Sequence, residues 1–200
     1  MKTLKIFSIA ILLGSLFIGQ NLLAQDKKMM KKEDKMMKKE TKMVGGAEMY
    51  PTKNIVENAI NSKDHTTLVA AVKAAGLVDV LASEGPFTVF APTNEAFDNL
   101  PKGTVETLLK TENKEQLQTI LKYHVVSGTW NASDLAKLIM DGKGKAIIKT
   151  VSGGTLTAWT KGDAVYITDE NGKSAKVTIA DVNQSNGVIH VVDTVLLPKM

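Results

Sequence analysis

With no cysteine in the chain, histidine and methionine are the side chains best suited to bind a metal ion. His65 lies in a polar segment before a helical pattern, where we expect it to be exposed and to order the start of the helix. His190 and Asp193 stand three apart on a predicted strand, and residues with that spacing point to opposite faces, which argues against a shared metal ion. No second cluster of ligands completes a site with any histidine.

The other two histidines are predicted to be structural. His124 ends a helical pattern whose apolar residues begin at Leu117, and it lies on the apolar side of that helix. We expect it to interact favourably with the C-terminal end of the helix or to form a buried hydrogen bond. His190 shares one face of its strand with Val188 and Val192, which predicts a buried histidine. No catalytic triad can be assembled from these residues.

Methionine pairs recur with a period of seven residues between residues 28 and 41. Thioethers are soft ligands that suit Cu(I), so one hypothesis is a copper site. A second is an amphipathic helix on an anionic membrane surface, with the methionines on one stripe and the lysines drawn to the lipid. The third is a solvated, disordered spacer, because so charged a segment cannot form a core. The methionines concerned are Met29, Met30, Met36, Met37 and Met43.

The motifs of common enzyme classes are missing from the sequence. It contains no G-x-S-x-G elbow, no H-E-x-x-H, no P-loop and no G-x-G-x-x-G. The segment Gly142-Lys143-Gly144-Lys145 combines glycine with lysine, but it lacks the Walker spacing and a following Ser or Thr. We expect a flexible turn there. The sequence therefore predicts a protein that is not an enzyme and has no cofactor.

The charged residues argue against nucleic acid as a partner. All 25 basic residues are lysine, and the chain has no arginine. Reading bases or phosphates through bidentate contacts normally uses arginine. Residues 47–200 hold fifteen lysines against seventeen acidic residues, a net charge of −2 (15 − 17). The predicted globular part therefore lacks a basic footprint.

Two segments precede this globular part. Residues 1–24 carry two lysines, an apolar run and Leu22-Leu23-Ala24, a pattern typical of a secretory signal peptide rather than of a transmembrane anchor. Residues 25–46 form the Lys/Met-rich spacer, which ends at Val44-Gly45-Gly46, interpreted as a hinge. Residues 47–200 are then predicted to be one domain of a secreted or periplasmic protein.

The stretch from Pro86 to Phe97 is the predicted centre of packing. Residues 87–90 are aromatic or β-branched, which indicates a strand. Pro92 should end that strand, because proline has no N–H to give a ladder. Thr93 is placed to cap a following helix.

A helical first half precedes a β-rich second half. Apolar residues at helical spacing follow Pro51 and run through residues 68–75, with Gly76 as a stop. Pro101 is expected in the first turn of another helix, and Asn131 is expected to cap a short one. Strand patterns are Val125-Val126, Ala146–Ile148, Leu156–Trp159, Val165–Ile167, Val177–Ile179 and Val188–Val192. This order is an α+β pattern.

Three blocks of the sequence resemble the signature blocks of the fasciclin (FAS1) domain family. Residues 88–97 are similar to its first block, Tyr123-His124-Val125-Val126 to its tyrosine–histidine segment, and residues 186–198 to its second block. The resemblance runs from Asn54 or so to Pro198. It implies one α+β domain, a wedge of about seven β-strands flanked by N-terminal and inserted helices.

The resemblance also implies adhesion without enzymatic activity, through a cell-surface or matrix protein or a polysaccharide. In members that bind integrins, an aspartate–isoleucine pair before the second block and the tyrosine–histidine segment are implicated. The matching positions are Asp181, Val182, Tyr123 and His124; valine replaces the isoleucine, and these residues could equally pack a corner of the wedge. The alternatives are an envelope-stress or Cu(I)-handling protein acting through its methionines, and a small-molecule or lipid binder with an apolar groove.

Overall fold

The computed structural model describes residues 41–199, and within this range it confirms the α+β class. The helices are α1 (Ile55–Ala59), α2 (Thr66–Ala75), α3 (Val78–Ala82), α4 (Asn94–Asp98), α5 (Thr104–Leu108), α6 (Lys114–Tyr123) and α7 (Ala132–Asp141), with 3₁₀ turns at Lys63–His65 and Thr111–Asn113. The strands are β1 (Lys42–Val44), β2 (Ala47–Met49), β3 (Phe87–Pro92), β4 (Val125–Ser127), β5 (Lys145–Lys149), β6 (Thr155–Lys161), β7 (Ala164–Thr168), β8 (Ser174–Gln184) and β9 (Gly187–Val192).

Seven of these strands form one sheet in the order β4-β3-β9-β8-β7-β6-β5. β3 and β9 run parallel, and the other neighbours in this sheet are antiparallel. The ends of the sheet approach each other, because the N–H of Val151, just after β5, donates to the C=O of Val125 in β4 at 2.8 Å. The sheet is therefore a nearly closed barrel, and its seven strands agree with the wedge that the resemblance implies.

Strand β3 separates two cores because its side chains alternate between two faces. Val89 and Ala91 pack under the helices in the helix-side core, whereas Phe90 packs in the barrel-side core. The helix-side core draws on α1 to α6, and the barrel-side core on α7 and strands β5 to β8. The buried members of the barrel-side core are Phe90, Tyr123, Val126, Leu135, Ile139, Ala146, Ile148, Leu156, Ala158, Ile167, Ala175, Val192 and Leu196.

Strand β3 runs further than predicted. It includes Ala91 and Pro92, which pairs with Val192 of β9, and it ends at Pro92 as predicted. Proline is accommodated because it is the last residue of β3, and β4 pairs only with residues 87–89. Thr93 caps α4 as predicted, its hydroxyl accepting from the N–H of Ala96 at 3.3 Å.

The predicted hinge at residues 44–46 is instead the turn of a β-hairpin. Gly45 and Gly46 both have positive φ, 57° and 77°, which suits the tight turn between β1 and β2. Val44 and Met49 are buried in the helix-side core and anchor the hairpin. Residues 42–46 therefore belong to the folded unit and not to the spacer. The rest of the predicted spacer, through residue 40, and the signal peptide lie outside the described residues.

Glycine residues mark the end of α2 and the start of α5. Gly76 ends α2 in the left-handed conformation, at φ 70°, as predicted. Pro101 is not in the first turn of α5, because Gly103, with φ 82°, separates it from a helix that begins at Thr104. Residues 142–144 form the predicted turn, here between α7 and β5, and Lys145 is the first residue of β5. Among residues 41–199, no helix is long and apolar enough to cross a membrane.

Candidate functional site

Asp181 lies where strand β8 departs from regular pairing with β9. The register shifts on both sides of Ile179, between Val177 and Val182, and Asp181 has a positive φ of 54°. A bulge of this kind re-aims side chains. The half-buried carboxylate of Asp181 accepts the N–H of Ala132, the first residue of α7, through Oδ1 at 2.6 Å. Aspartate is favoured there because the N-terminus of a helix carries partial positive charge.

His190 fixes this corner from inside. Its Nδ1 accepts the backbone N–H of Asp181 at 3.3 Å, and its Nε2 lies 2.8 Å from the C=O of Trp130, so Nε2 carries the proton. The ring also stacks on Phe90 with centroids 5.7 Å apart. Burial lowers the pKa of His190. His190 is thus the buried structural histidine that strand alternation predicts.

Trp130 completes the surface of the corner. Its backbone N–H donates to the hydroxyl of Thr88 at 2.9 Å, and its indole Nε1 donates to the C=O of Ser127 at 3.0 Å. The indole remains partly exposed. We call Trp130, Asn131, Ala132, Asp181 and His190 the Asp181 corner.

Tyr123 is fully buried in the barrel-side core. Its hydroxyl donates to the C=O of Thr155 at 2.7 Å and accepts the N–H of Glu170 at 3.1 Å. Burial raises the pKa of Tyr123 to about 12, opposed in part by the N–H of Glu170. The residue joins helix α6 to the start of β6 and to the segment after β7.

His124 is also buried and fully hydrogen-bonded, as one of its two predicted roles requires. Its Nδ1 lies 2.8 Å from the C=O of Ile120, and its Nε2 accepts the N–H of Leu196 at 3.0 Å, so Nδ1 carries the proton. Burial lowers the pKa of His124 to about 4. The neutral ring connects the end of α6 to the C-terminal segment.

The four residues suggested by the resemblance do not form one exposed patch. Tyr123, His124 and Val182 are buried, and only Asp181 exposes part of its side chain. His124 and Val182 line one apolar cavity, whereas Tyr123 packs in the other core. Their role in binding stays a prediction, with Asp181 the member placed to reach a partner.

Of the predicted metal ligands, only Met43 lies within the described residues. It is on strand β1, opposite Glu48, and is 57% exposed. The hypothesis of a helical methionine stripe therefore cannot extend to Met43. Met29, Met30, Met36 and Met37 lie outside the described range, so the copper and membrane hypotheses stay predictions. Residues 41–199 contain no group of three or more His, Asp or Glu placed to hold a metal ion.

An apolar cavity of about 60 Å³ lies in the helix-side core. Strands β3, β8 and β9 line it on one side, and residues of α1, α2, α3 and α6 line it on the other. Its rim includes side chains that are only partly buried, and Lys73 of α2 is exposed there. The residues that line its inner part include Ile55, Leu68, Val72, Val89, Val182 and Ile189.

His65 contributes to the wall of this cavity and is buried, not exposed as predicted, with 3% of its surface accessible. Its Nδ1 lies 2.8 Å from the hydroxyl of Ser62. Its Nε2 is buried and has no partner in hydrogen-bond geometry, the only such side-chain atom in residues 41–199. Burial lowers the pKa of His65, against smaller opposing effects from the C=O of Ala91 and from Asp64.

One signal in the sequence could have placed His65 inside. His65, Leu68 and Val72 stand at i, i+3 and i+7, the spacing of one helix face. Leu68 and Val72 are buried on the side of α2 that faces the helix-side core. His65 was predicted to be exposed because its neighbours in sequence, Asp64 and Thr66, are polar.

Comparison with known proteins bears on the whole domain. Residues 63–198 match the model of the Fasciclin domain family. Protein sll1483 of Synechocystis is 49% identical over 146 residues, covering 73% of this chain and 74% of that protein. Transforming growth factor-beta-induced protein ig-h3 of Sus scrofa is 39% identical over 131 residues, covering 66% of this chain but 17% of that protein.

A solved structure shows the same fold. A FAS1 domain pair from the insect cell adhesion molecule fasciclin I superposes with a TM-score of 0.66 at 20% identity, covering 72% of this chain and 51% of that one. The blocks on which the resemblance rested, from β3 to the segment after β9, all fall inside the matched region.

Proposed function

The chain belongs to the fasciclin domain family, and from that membership we propose that it is an exported, non-enzymatic binding module of the adhesion type. Its partner would be a cell-surface or matrix protein or a polysaccharide, met in the periplasm or outside the cell. The observation that carries the proposal is the set of hydrogen bonds that hold the Asp181 corner, because a surface held in one conformation loses little entropy when it binds.

The corner combines the features that binding surfaces favour. Trp130 is partly exposed, and tryptophan is enriched among the residues that dominate binding energy. Asp181 uses Oδ1 on α7, while its Oδ2 makes no hydrogen bond within residues 41–199 and can accept one from a partner. The ammonium of Lys42 donates to the C=O of Ala180, next to Asp181, at 2.5 Å, and adds a positive charge.

Binding of the exported protein to immobilised cell-envelope polysaccharide and matrix proteins tests the proposal. In Asp181→Asn, the side-chain oxygen can still accept from Ala132, and asparagine tolerates the positive φ. We expect binding about tenfold weaker, the share of one charge-assisted hydrogen bond, with an unchanged melting temperature. Asp163→Asn, in the exposed turn between β6 and β7, removes the same charge and should bind normally.

Deletion of residues 25–40 tests whether binding depends on the folded domain or on the positive charge of the spacer lysines. The proposal requires saturable binding to survive the deletion. If binding disappears both with the deletion and with added salt, the lysines of residues 25–40 are responsible for it. Salt has this effect because screening weakens charge attraction between exposed groups. Equal binding by the Asp181→Asn and Asp163→Asn variants would remove the corner from the proposal.

A further inference from the structure

We propose that the cavity beside His65 binds one small neutral amphiphile, with an apolar chain of about four to six carbons and a single hydrogen-bonding oxygen on the Nε2 of His65. This site is separate from the Asp181 corner, and it does not depend on adhesion. Three observations carry it: the unpartnered nitrogen, the apolar wall and the open rim.

The unpartnered nitrogen is the first observation. Buried polar groups in folded proteins almost always have a hydrogen-bond partner, and an orphan costs stability. His124 and His190 follow this rule with both ring nitrogens. His65 does not: Ser62 holds its Nδ1, and the C=O of Ala91, although close enough to act on the pKa of the ring, is not in hydrogen-bond geometry with Nε2. A ligand oxygen within hydrogen-bond distance of Nε2 would give this nitrogen the partner that it lacks.

Water alone explains the cavity poorly. A buried water needs two to four polar partners, and about 10–15 Å³ of space is enough for one. The cavity measures about 60 Å³ and its wall is almost entirely aliphatic or aromatic. One polar atom in a space for about four or five water-sized groups fits a chain with one polar end, whose last carbons lie in the open rim.

The chemistry of the polar end follows from the environment. Burial lowers the pKa of His65, so the ring is neutral at pH 7. A carboxylate beside it would be a buried charge without a counter-charge, which is costly. A hydroxyl can donate to Nε2 or accept from it, and so suits either tautomer of the ring. An alcohol is therefore the probe of choice.

Entry is available between the helices. Val56 of α1 and Val69 of α2 line the cavity and are partly exposed, so the cavity reaches the surface between these helices. Ile60 stands four residues after Val56, on the same side of the chain, and is 54% exposed. This apolar rim gives a small amphiphile a path that does not require the core to unfold.

A series of primary alcohols from propanol to octanol, titrated into the full-length exported chain by ¹H–¹⁵N NMR, tests the site. Affinity should rise about fourfold per methylene, the free energy of burying one CH₂, until the cavity is full near five carbons. Hexanoate should bind more weakly than hexanol. Tighter binding of hexanoate would assign the polar end to Lys73 at the rim and overturn the role of His65.

Two variants locate the ligand. Val69→Trp should block the entrance and abolish binding, whereas Ala70→Trp, on the next and exposed residue, should bind normally. Ser62→Ala combined with His65→Leu removes both polar partners. This variant should lose about tenfold in pentanol affinity but keep its affinity for pentane, because only the hydrogen bond is lost.

The outcomes are decisive in either direction. Amide shifts confined to the residues that line the cavity, with the chain-length limit, would support the site. No saturable binding of any alcohol, or equal binding by Val69→Trp and Ala70→Trp, would overturn it. Unchanged pentanol affinity in the double variant would show that His65 does not receive the ligand.

Discussion

The two cores treat their buried polar atoms differently. On the barrel side, Tyr123 and His190 form hydrogen bonds with distant segments, and His124, at the boundary between the two cores, joins α6 to the C-terminal segment. On the helix side, His65 bonds only to Ser62, three residues away, and leaves Nε2 unpaired beside a cavity. The first set connects the chain to itself, and the second leaves both space and hydrogen-bonding capacity.

This difference teaches which buried polar residues maintain the fold. A hydrogen bond between segments far apart in sequence fixes their relative position, and its loss orphans two buried groups. A local bond such as that of Ser62 with His65 fixes only a side chain. The comparison therefore predicts large effects of substitution at Tyr123, His124 and His190, which bond to distant segments, and small ones at His65.

His124→Phe should have the largest effect on stability. The ring would keep its packing but leave the C=O of Ile120 and the N–H of Leu196 without partners, at a cost of about 4 kcal/mol in free energy of unfolding. Urea denaturation with an unchanged m-value measures this loss. A loss below about 1 kcal/mol would contradict the proposed link between α6 and the C-terminal segment.

Acid should remove the stability that the buried neutral histidines provide. The pKa of His124 is about 4 in the folded chain against 6.5 for the free side chain. Between these values only the unfolded chain binds the proton, so stability is full above pH 6.5 and falls as pH drops towards 4. His124 alone should account for about 3 kcal/mol, and the lowered pKa values of His65 and His190 act in the same direction.

Urea midpoints at pH 7.5, 6 and 5 provide the test for this pH dependence. The His124→Phe variant serves as the control, since it lacks the contribution of this ring and should show a flatter profile. Equal slopes for the two proteins would contradict the assignment.

Tyr123→Phe should cost less, about 2 kcal/mol, because it removes one hydroxyl while the buried ring remains. Tyr166→Phe is the matched control. The hydroxyl of Tyr166 makes no hydrogen bond within residues 41–199, and its ring stacks on Trp159 at 4.8 Å in either form. Thermal melts of the two variants give the comparison, which fails if both lose the same stability.

The Ser62→Ala and His65→Leu double variant should have the smallest effect, within about 1 kcal/mol of the parent. Replacing both partners of a buried hydrogen bond by apolar groups is close to neutral, and an orphan nitrogen disappears. Chemical denaturation beside His124→Phe measures the contrast. A loss as large as that of His124→Phe would mean that His65 maintains the fold, and the comparison between the cores would be wrong.

Much of the fold was predictable because its signals are local. The strand candidates from Val125 to Val192, the Thr93 cap and the Gly76 stop depend on near neighbours in sequence. The position of His190 followed from strand alternation. In each case the physical rule acts over a few residues.

What was missed depends on tertiary contacts. A glycine pair indicates a hinge or a hairpin turn equally well, and the burial of Val44 and Met49 decides between them. The bulge at Asp181 depends on its pairing with β9, and the cavity beside His65 depends on the meeting of helices and strands from distant parts of the sequence. Local sequence patterns do not show which residues that are far apart in sequence come into contact in the fold.

The most direct test of the contrast between the cores is a long-range ¹H–¹⁵N spectrum of the three histidine rings, recorded for the full-length exported chain with and without saturating pentanol. The account predicts that Nε2 of His65 shifts most, because it gains a hydrogen bond, while the nitrogens of His124 and His190 stay where their existing bonds hold them. An unmoved His65, or equal shifts at all three rings, would contradict it.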